Sequence, residues 1–247
     1  MARDLCFDAA ALADLDGPFR AHLMNSATGF KPANLVGTAA PDGAHNLAIL
    51  SSIVHLGSDP ALIGCVFRPE VPRERGSHTL HNARDTGEFT ISHVATAWYR
   101  KAHATSARYP DGTSEFEAVG LTPWFFPEGS DGPFRAPAVA ESAVRIALRW
   151  EDSYTLPANG CTFVVGRVVG LCVPGAAVAA DGALDLVGMQ TAAISGLDGY
   201  HAVERLERLA YAKPDAGPSG TADFLAGFPP PAGGKSGRGT ADAGSST

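Results

Sequence analysis

Between residues 67 and 89 the chain reads FRPEVPRERGSHTLHNARDTGEF, with four arginines and two histidines gathered where a helix is expected to begin. Arg68, Arg73 and Arg75 offer guanidinium forks, Ser77 and Thr79 offer hydroxyls, and His78 offers an imidazole N–H. Ser77 stands as the expected helix N-cap. The main-chain N–H groups of a first helical turn point outward, with the positive end of the macrodipole behind them. Together these groups have the chemistry of a phosphate receptor. Charge-assisted bonds contribute about 1.5–3 kcal/mol each, so three or four would hold a phosphate ester firmly. The competing reading of the same residues is a solvated basic loop.

The rest of the composition sharpens the contrast. The chain has 247 residues, 45% of them hydrophobic, and a formal net charge of -7. That balance suits a globular protein with a sizeable core and argues against general binding to nucleic acid or to an anionic membrane. A basic cluster in an acidic chain therefore points to a small anion. The four cysteines, Cys6, Cys65, Cys161 and Cys172, form no CxxC pair. They read as reduced, buried small hydrophobes in a cytoplasmic protein. The N-terminal stretch meets acids and polar breaks too early for a signal peptide, and no apolar run is long enough to span a bilayer.

The elements that must position the cluster read as follows. Residues 8–15 suggest a short helix ended by Gly17-Pro18. "ANLVGTAA" reads as a strand, "PDG" as a turn, "AHNLAILSSIV" as one returning strand, and "ALIGCVF" as a third strand after the "GSDP" break. A helix from Ser77 should stop at Gly87 in a left-handed cap, and "EFTISHV" resumes strand. "ATAWYRKAHA" has helical residue types, and Ser114 with Glu117 forms a capping box for a turn ending at Gly120. Residues 122–137 read as a surface excursion rich in Pro, Gly and aromatics. "SAVRIALRWED" alternates, with Arg145 and Arg149 on what reads as a solvated face, and pairs with "CTFVVGRVVGLCV" as a hairpin. Val203, Leu206 and Leu209 recur at helical spacing near Tyr200–Tyr211, and the Gly/Pro/Ala/Ser-rich residues 214–247 read as a disordered tail. Six or seven strands with a few inserted helices favour a β-barrel over a parallel sheet, and no G-x-G-x-x-G follows a strand.

Several short motifs now fall into an order. Lys31-Pro32, Asp42-Gly43, Asn46-Leu47-Ala48, Ser51-Ser52, Asp59-Pro60, Arg68-Pro69, Thr79-Leu80-His81-Asn82 and Thr86-Gly87-Glu88-Phe89 follow one another along the chain. The series resembles the flavin reductase-like family of FMN-binding split barrels, over about residues 31–213. The resemblance implies a mainly β fold with inserted helices, a Greek-key split β-barrel that forms a homodimer. Residues 1–30, ahead of the resemblance, read as an N-terminal helical lead-in. Ile49, Leu50, Ser51 and Ser52 would line the isoalloxazine, largely through main-chain groups. Phe67 and Arg68 would lie near the ribityl–phosphate end, with Ser77, His78 and Thr79 at the phosphate. His103, Thr105 and Ser106 would approach the flavin from the other side, His103 in a catalytic or nicotinamide-orienting role. Many members carry Lys-Asp where this chain has Ser77-His78, which removes a permanent positive charge and leaves Arg68 or Arg75 to compensate.

The implied activity is transfer of hydride from NADH or NADPH to FMN, which needs no nucleophile or acid–base pair from the protein. The reduced flavin would go to a partner monooxygenase. Two other readings remain open at this point: a non-enzymatic FMN-binding module, and a flavoenzyme acting directly on a small organic molecule. His78 and His81 lie three apart but lack a third ligand at recognisable spacing, so no metal is expected. Trp98 and Tyr99 read as core or dimer-interface aromatics. Trp124, Phe125 and Phe126 are expected to pack on the barrel or a partner subunit.

Overall fold

The computed structural model describes residues 4–72, 76–109, 113–129 and 132–209. Two short helices lead in, α1 (Ala9–Asp14) and α2 (Gly17–Ala27). Gly17-Pro18 does not simply end the first helix; it opens the second. Asp16 is the N-cap of α2, its carboxylate accepting from Phe19 N at 3.3 Å. Proline belongs in a first helical turn, where its missing N–H costs nothing.

The remaining elements are β1 (Lys31–Pro32), β2 (Asn34–Ala39), β3 (His45–Leu50), β4 (Ile53–Ser58), β5 (Ala61–Phe67), α3 (His78–Thr86) and β6 (Glu88–His93). After them come α4 (Tyr99–Ala104), α5 (Glu115–Val119), β7 (Pro123–Trp124), β8 (Ala138–Val139), β9 (Arg145–Thr155), β10 (Thr162–Cys172), β11 (Ala193–Ser195) and β12 (Gly199–His201). Seven of these strands form one antiparallel sheet in the order β3-β2-β6-β9-β10-β5-β4.

That order closes the sheet. Strands β3 and β4 are its two edges, yet only Ser51 and Ser52 separate them in the chain. A flat sheet of seven strands would hold its outer strands about 29 Å apart at ~4.8 Å per strand. The Leu50–Ile53 link spans at most roughly 11 Å. The sheet must therefore roll until its edges meet, with Ser51-Ser52 at the join. The expected single strand over 44–54 is thus two strands on opposite edges. Only the two serines mark the break, and a pair of polar residues is also what a strand's solvent face can carry.

Two apolar clusters lie on opposite faces of β2. Val36 joins Cys65, Phe67, Leu80, Phe89, Ile91, Leu148 and Val164 inside the barrel, with Leu50 and Ile53 against them. Leu35 joins Leu47, Val94, Ala102, Phe116 and Val139 outside, with Ile49, Trp98, Tyr99 and Tyr200 against them. Helix α3 closes the inner cluster through Leu80 and Ala83 and ends at Gly87 (φ 71°), as its sequence predicts. Helix α5 closes the outer cluster through Phe116 and ends at Gly120 (φ 64°). The capping box at Ser114 does not form. Glu115 instead accepts from Leu47 N at 3.0 Å, covering an N–H on the open edge of β3.

Other expectations give way to tertiary contacts. Tyr200 and His201 pair with Ile194 and Ala193 in a small sheet, and residues 202–209 carry no regular structure. Leu206 is 95% exposed, and the helical spacing there does not form a helix over the described residues. Residues 210–211 and the tail from 214 lie outside the described residues. Arg145 is not simply solvated: its guanidinium lies 4.3 Å from the Trp124 ring centroid, and Nη2 is 3.4 Å from Cys172 Sγ. Arg149 faces the buried Glu88 at 3.7 Å. Trp124 also meets Phe126 edge-on, whereas Phe125 is 44% exposed beside His45. Of the cysteines, only Cys65 is a buried hydrophobe, its thiol pushed up to about 12 by burial, while Cys6 is exposed. Among the described residues no helix is long and apolar enough to cross a membrane.

His93, opposite Asn34 on β2, gives a pH prediction. Burial pulls its imidazole down to about 4, and Nδ1 has no partner. The unfolded chain takes a proton near pH 6.5 that the folded chain refuses until about pH 4. Stability from this residue is therefore complete above pH 6.5 and falls as pH drops between those values, by on the order of 2–3 kcal/mol. Urea midpoints at pH 7 and pH 4.5 should differ less in His93→Asn than in the wild type. Parallel pH dependences in the two proteins would remove His93 as the cause.

Candidate functional site

The barrel join is where the chain offers main-chain and hydroxyl groups together. Ser52 is exposed and its carbonyl accepts from Val66 N at 2.9 Å, which extends the β4–β5 ladder up to the join. Ser51 is half-buried. Leu50 lies on the inner cluster and Ile49 on the outer one, because neighbouring residues of a strand face opposite ways. Phe67, at the end of β5, is buried in the inner cluster, and Arg68 follows it into solvent.

The start of α3 is tied to the same strand β3. Asn46 Nδ2 donates to Thr79 Oγ1 at 2.8 Å and lies 3.3 Å from Thr38 Oγ1. Thr79 is 8% exposed, so its hydroxyl is an oriented group whose acceptor capacity Asn46 uses and whose proton remains to donate. Asn46 is a candidate site residue that a reading of the basic cluster misses. It is signalled only by its place in the Asn46-Leu47-Ala48 motif.

Ser77 sits at the N-cap position, but its hydroxyl does not cap the helix. Its backbone is left-handed (φ 58°), and Oγ instead accepts from Val71 N at 3.1 Å. The side chain that would have covered the first helical amides is thus turned toward the preceding loop. Arg84, one of the four arginines, is likewise withdrawn from anion binding. It makes a bidentate pair with Glu70 at 3.0 and 2.7 Å, which holds the Glu70 carboxyl below its usual range, and His81 Nε2 donates to Val71 O at 2.9 Å. These bonds fasten the Glu70–Val71 loop to α3. Half-buried His78 opens the helix, and Arg73 and Arg75 lie outside the described residues.

On the outer face, α4 carries His103. Its Nδ1 is 3.1 Å from Tyr200 Oη, with the two rings edge to face at 5.6 Å. Tyr200 also packs on Tyr99 at 5.2 Å, and both lie against the outer cluster together with Ile49. Ile49 and the His103 helix therefore share one face. Thr105 is buried and donates to Ala102 O at 2.8 Å, finishing the helix, while Ser106 is exposed with its N–H on His103 O. The structure brings Ile49–Ser52, Phe67, Thr79 and, through Tyr99 and Tyr200, His103 around strand β3. It places Thr105 in a helix-terminating role.

A family model describing a flavin reductase like domain matches residues 29–186. The chain belongs to the flavin reductase-like family. Its sheet is that family's split barrel. A split-barrel structure from Shewanella frigidimarina NCIMB 400, assigned as a flavin reductase, is 43% identical over 85% of this chain and 100% of its own, with a TM-score of 0.78. Nitrilotriacetate monooxygenase component B from Bacillus cereus shares the fold at 20% identity, over 85% of this chain and 100% of that one, with a TM-score of 0.70. An FMN-binding protein from Thermus thermophilus shares it at 16% identity over 85% and 99%, with a TM-score of 0.61. No curated protein matches the chain. The family match stops before β11 and β12, so Tyr200 is brought to this flavin reductase-like domain by a segment beyond it.

Proposed function

We propose that this protein binds FMN along β3 and the barrel join and catalyses flavin reduction by NADH or NADPH. The observation that carries the reading is that one strand joins two kinds of group. Asn46 sets Thr79 at an α3 terminus that its own N-cap side chain has left, and Ser51-Ser52 directly follows the same strand. Such a terminus suits the phosphate ester of FMN, with Arg68 and His78 as added donors, and the join suits the ring. Bound FMN would supply the redox chemistry, accepting hydride from the nicotinamide at N5. The residues of this chain bind and orient: main-chain groups of Ile49–Ser52 hold the ring edge, Leu50 and Phe67 exclude water, and His103 orients the nicotinamide side. The likeness to a monooxygenase component B supports delivery of reduced flavin to a separate oxygenase, and the protein would act as a cytoplasmic homodimer.

The purified protein mixed with FMN should bleach at the flavin absorption band on anaerobic addition of NADH or NADPH, and should oxidise the nicotinamide in air only with FMN present. Bound flavin that neither nicotinamide reduces would make the protein a non-enzymatic FMN module. A protein with no FMN-dependent rise in thermal midpoint would end the binding claim as well.

A further inference from the structure

We infer that Tyr200 is a positioning residue for the flavin reductase reaction, donating its phenolic hydrogen to Nδ1 of His103 so that the imidazole presents its proton on Nε2. The inference rests on the flavin reductase reading. It adds to that reading a residue from the β11–β12 hairpin, beyond the family-matched segment.

The hairpin is built to hold a side chain still. Lys31 Nζ donates to Gly196 O at its turn at 3.1 Å and reaches Asn25 O and Oδ1 at 3.4 Å each, joining the turn to β1 and to the end of α2. Ser195 and His201 are hydrogen-bonded across the two strands at 2.8 Å, and Phe30 meets His201 edge-on at 4.8 Å. Between these anchors Tyr200 meets two rings that stand four residues apart on α4, Tyr99 and His103. Its hydroxyl reaches His103 across 97 positions of sequence, so helix α4 alone does not set the imidazole.

The direction assigned to the bond takes the phenol as the donor. Burial, with Asp198 nearby, pushes the Tyr200 hydroxyl up to about 12, so it keeps its proton at neutral pH. A half-buried phenol that holds its proton needs an acceptor, and His103 Nδ1 is the ring atom within reach at 3.1 Å. Nε2 then carries the N–H, a single donor of fixed orientation on the exposed side chain of α4. A fixed donor suits an acceptor oxygen of a bound ring system, such as the nicotinamide carboxamide or the flavin carbonyls, where orientation decides its value to the reaction.

Tyr200→Phe removes the hydroxyl and keeps both ring contacts. In the flavin-free protein the His103 Nδ1 resonance should move, while the thermal midpoint stays unchanged. In the FMN-loaded protein the rate constant for flavin reduction by NADH should fall about tenfold, the scale seen when the partner that orients a working imidazole is removed. FMN affinity should hold, and Tyr200→Phe should add nothing in a His103→Ala background. An unmoved Nδ1 resonance overturns the inference, as does a Tyr200→Phe protein that reduces flavin as fast as an active wild type. A wild type that does not reduce flavin at all overturns the flavin reductase reading instead, and with it the role given to Tyr200.

Discussion

Gly37→Ala is expected to cost this protein at least about 3 kcal/mol, the largest effect of any single methyl group in the barrel. Gly37 lies in the middle of β2, and a Cβ there would overlap the main-chain carbonyl oxygen of Pro137 and come within 2.7 Å of Thr90 Oγ1. Neither neighbour can yield cheaply. Thr90 Oγ1 donates to that same carbonyl at 2.7 Å, and Ala136, Ala138 and Val139 on either side of Pro137 are buried. The segment at Pro137 thus crosses β2 backbone to backbone, and only a residue without a side chain permits it. The thermal midpoint should fall by roughly 6–12 °C for a chain of this size. Gly175→Ala, at a position facing open space, is the control and should move it little. A Gly37→Ala midpoint within about 2 °C of wild type would mean that the Pro137 segment moves freely, and the closure of the outer cluster would need another explanation.

The second large effect concerns discrimination between FMN and riboflavin. Arg68→Ala combined with Thr79→Val should weaken FMN at least about 100-fold, because each charge-assisted bond to a phosphate contributes about 1.5–3 kcal/mol. Riboflavin, which lacks the phosphate, should change by less than about threefold. Thr79 is also the acceptor for Asn46, so the melting curve of the double variant has to be read beside the binding data. Asn46→Ala isolates the support from the contact: it removes the bond that orients Thr79 and should reproduce part of the FMN loss. Equal losses for the two ligands would show that the start of α3 shapes the ring pocket and does not grip an anion.

What the sequence made legible is what local chemistry decides. Gly87 and Gly120 end their helices in the left-handed conformation that glycine adopts without strain. The long hairpin of β9 and β10 follows its alternation, and the ordered motifs from Lys31 to Phe89 carried the family and its barrel. Features that depend on distant partners were not legible. Glu70 takes Arg84 out of the basic cluster from 14 positions away, and Thr79 meets Asn46 from 33. The break at Ser51-Ser52 is marked in sequence only by the two serines between apolar residues, and which sheet edge each flanking strand joins depends on distant partners. Val203, Leu206 and Leu209 show the converse: they stand at helical spacing, are exposed, and form no helix over the described residues. Tyr200 carried no signal, because its partner on α4 is found only once the hairpin has folded back.

The two-residue connection between the outermost strands has a mechanical meaning. It is the hoop clasp of the barrel: every ladder in the sheet could survive a cut between Ser51 and Ser52, yet the first and last staves would no longer be tethered. A ligand that bridges the two strands there would act as a rivet, so a nicked protein should spring open when empty and stay coopered when loaded.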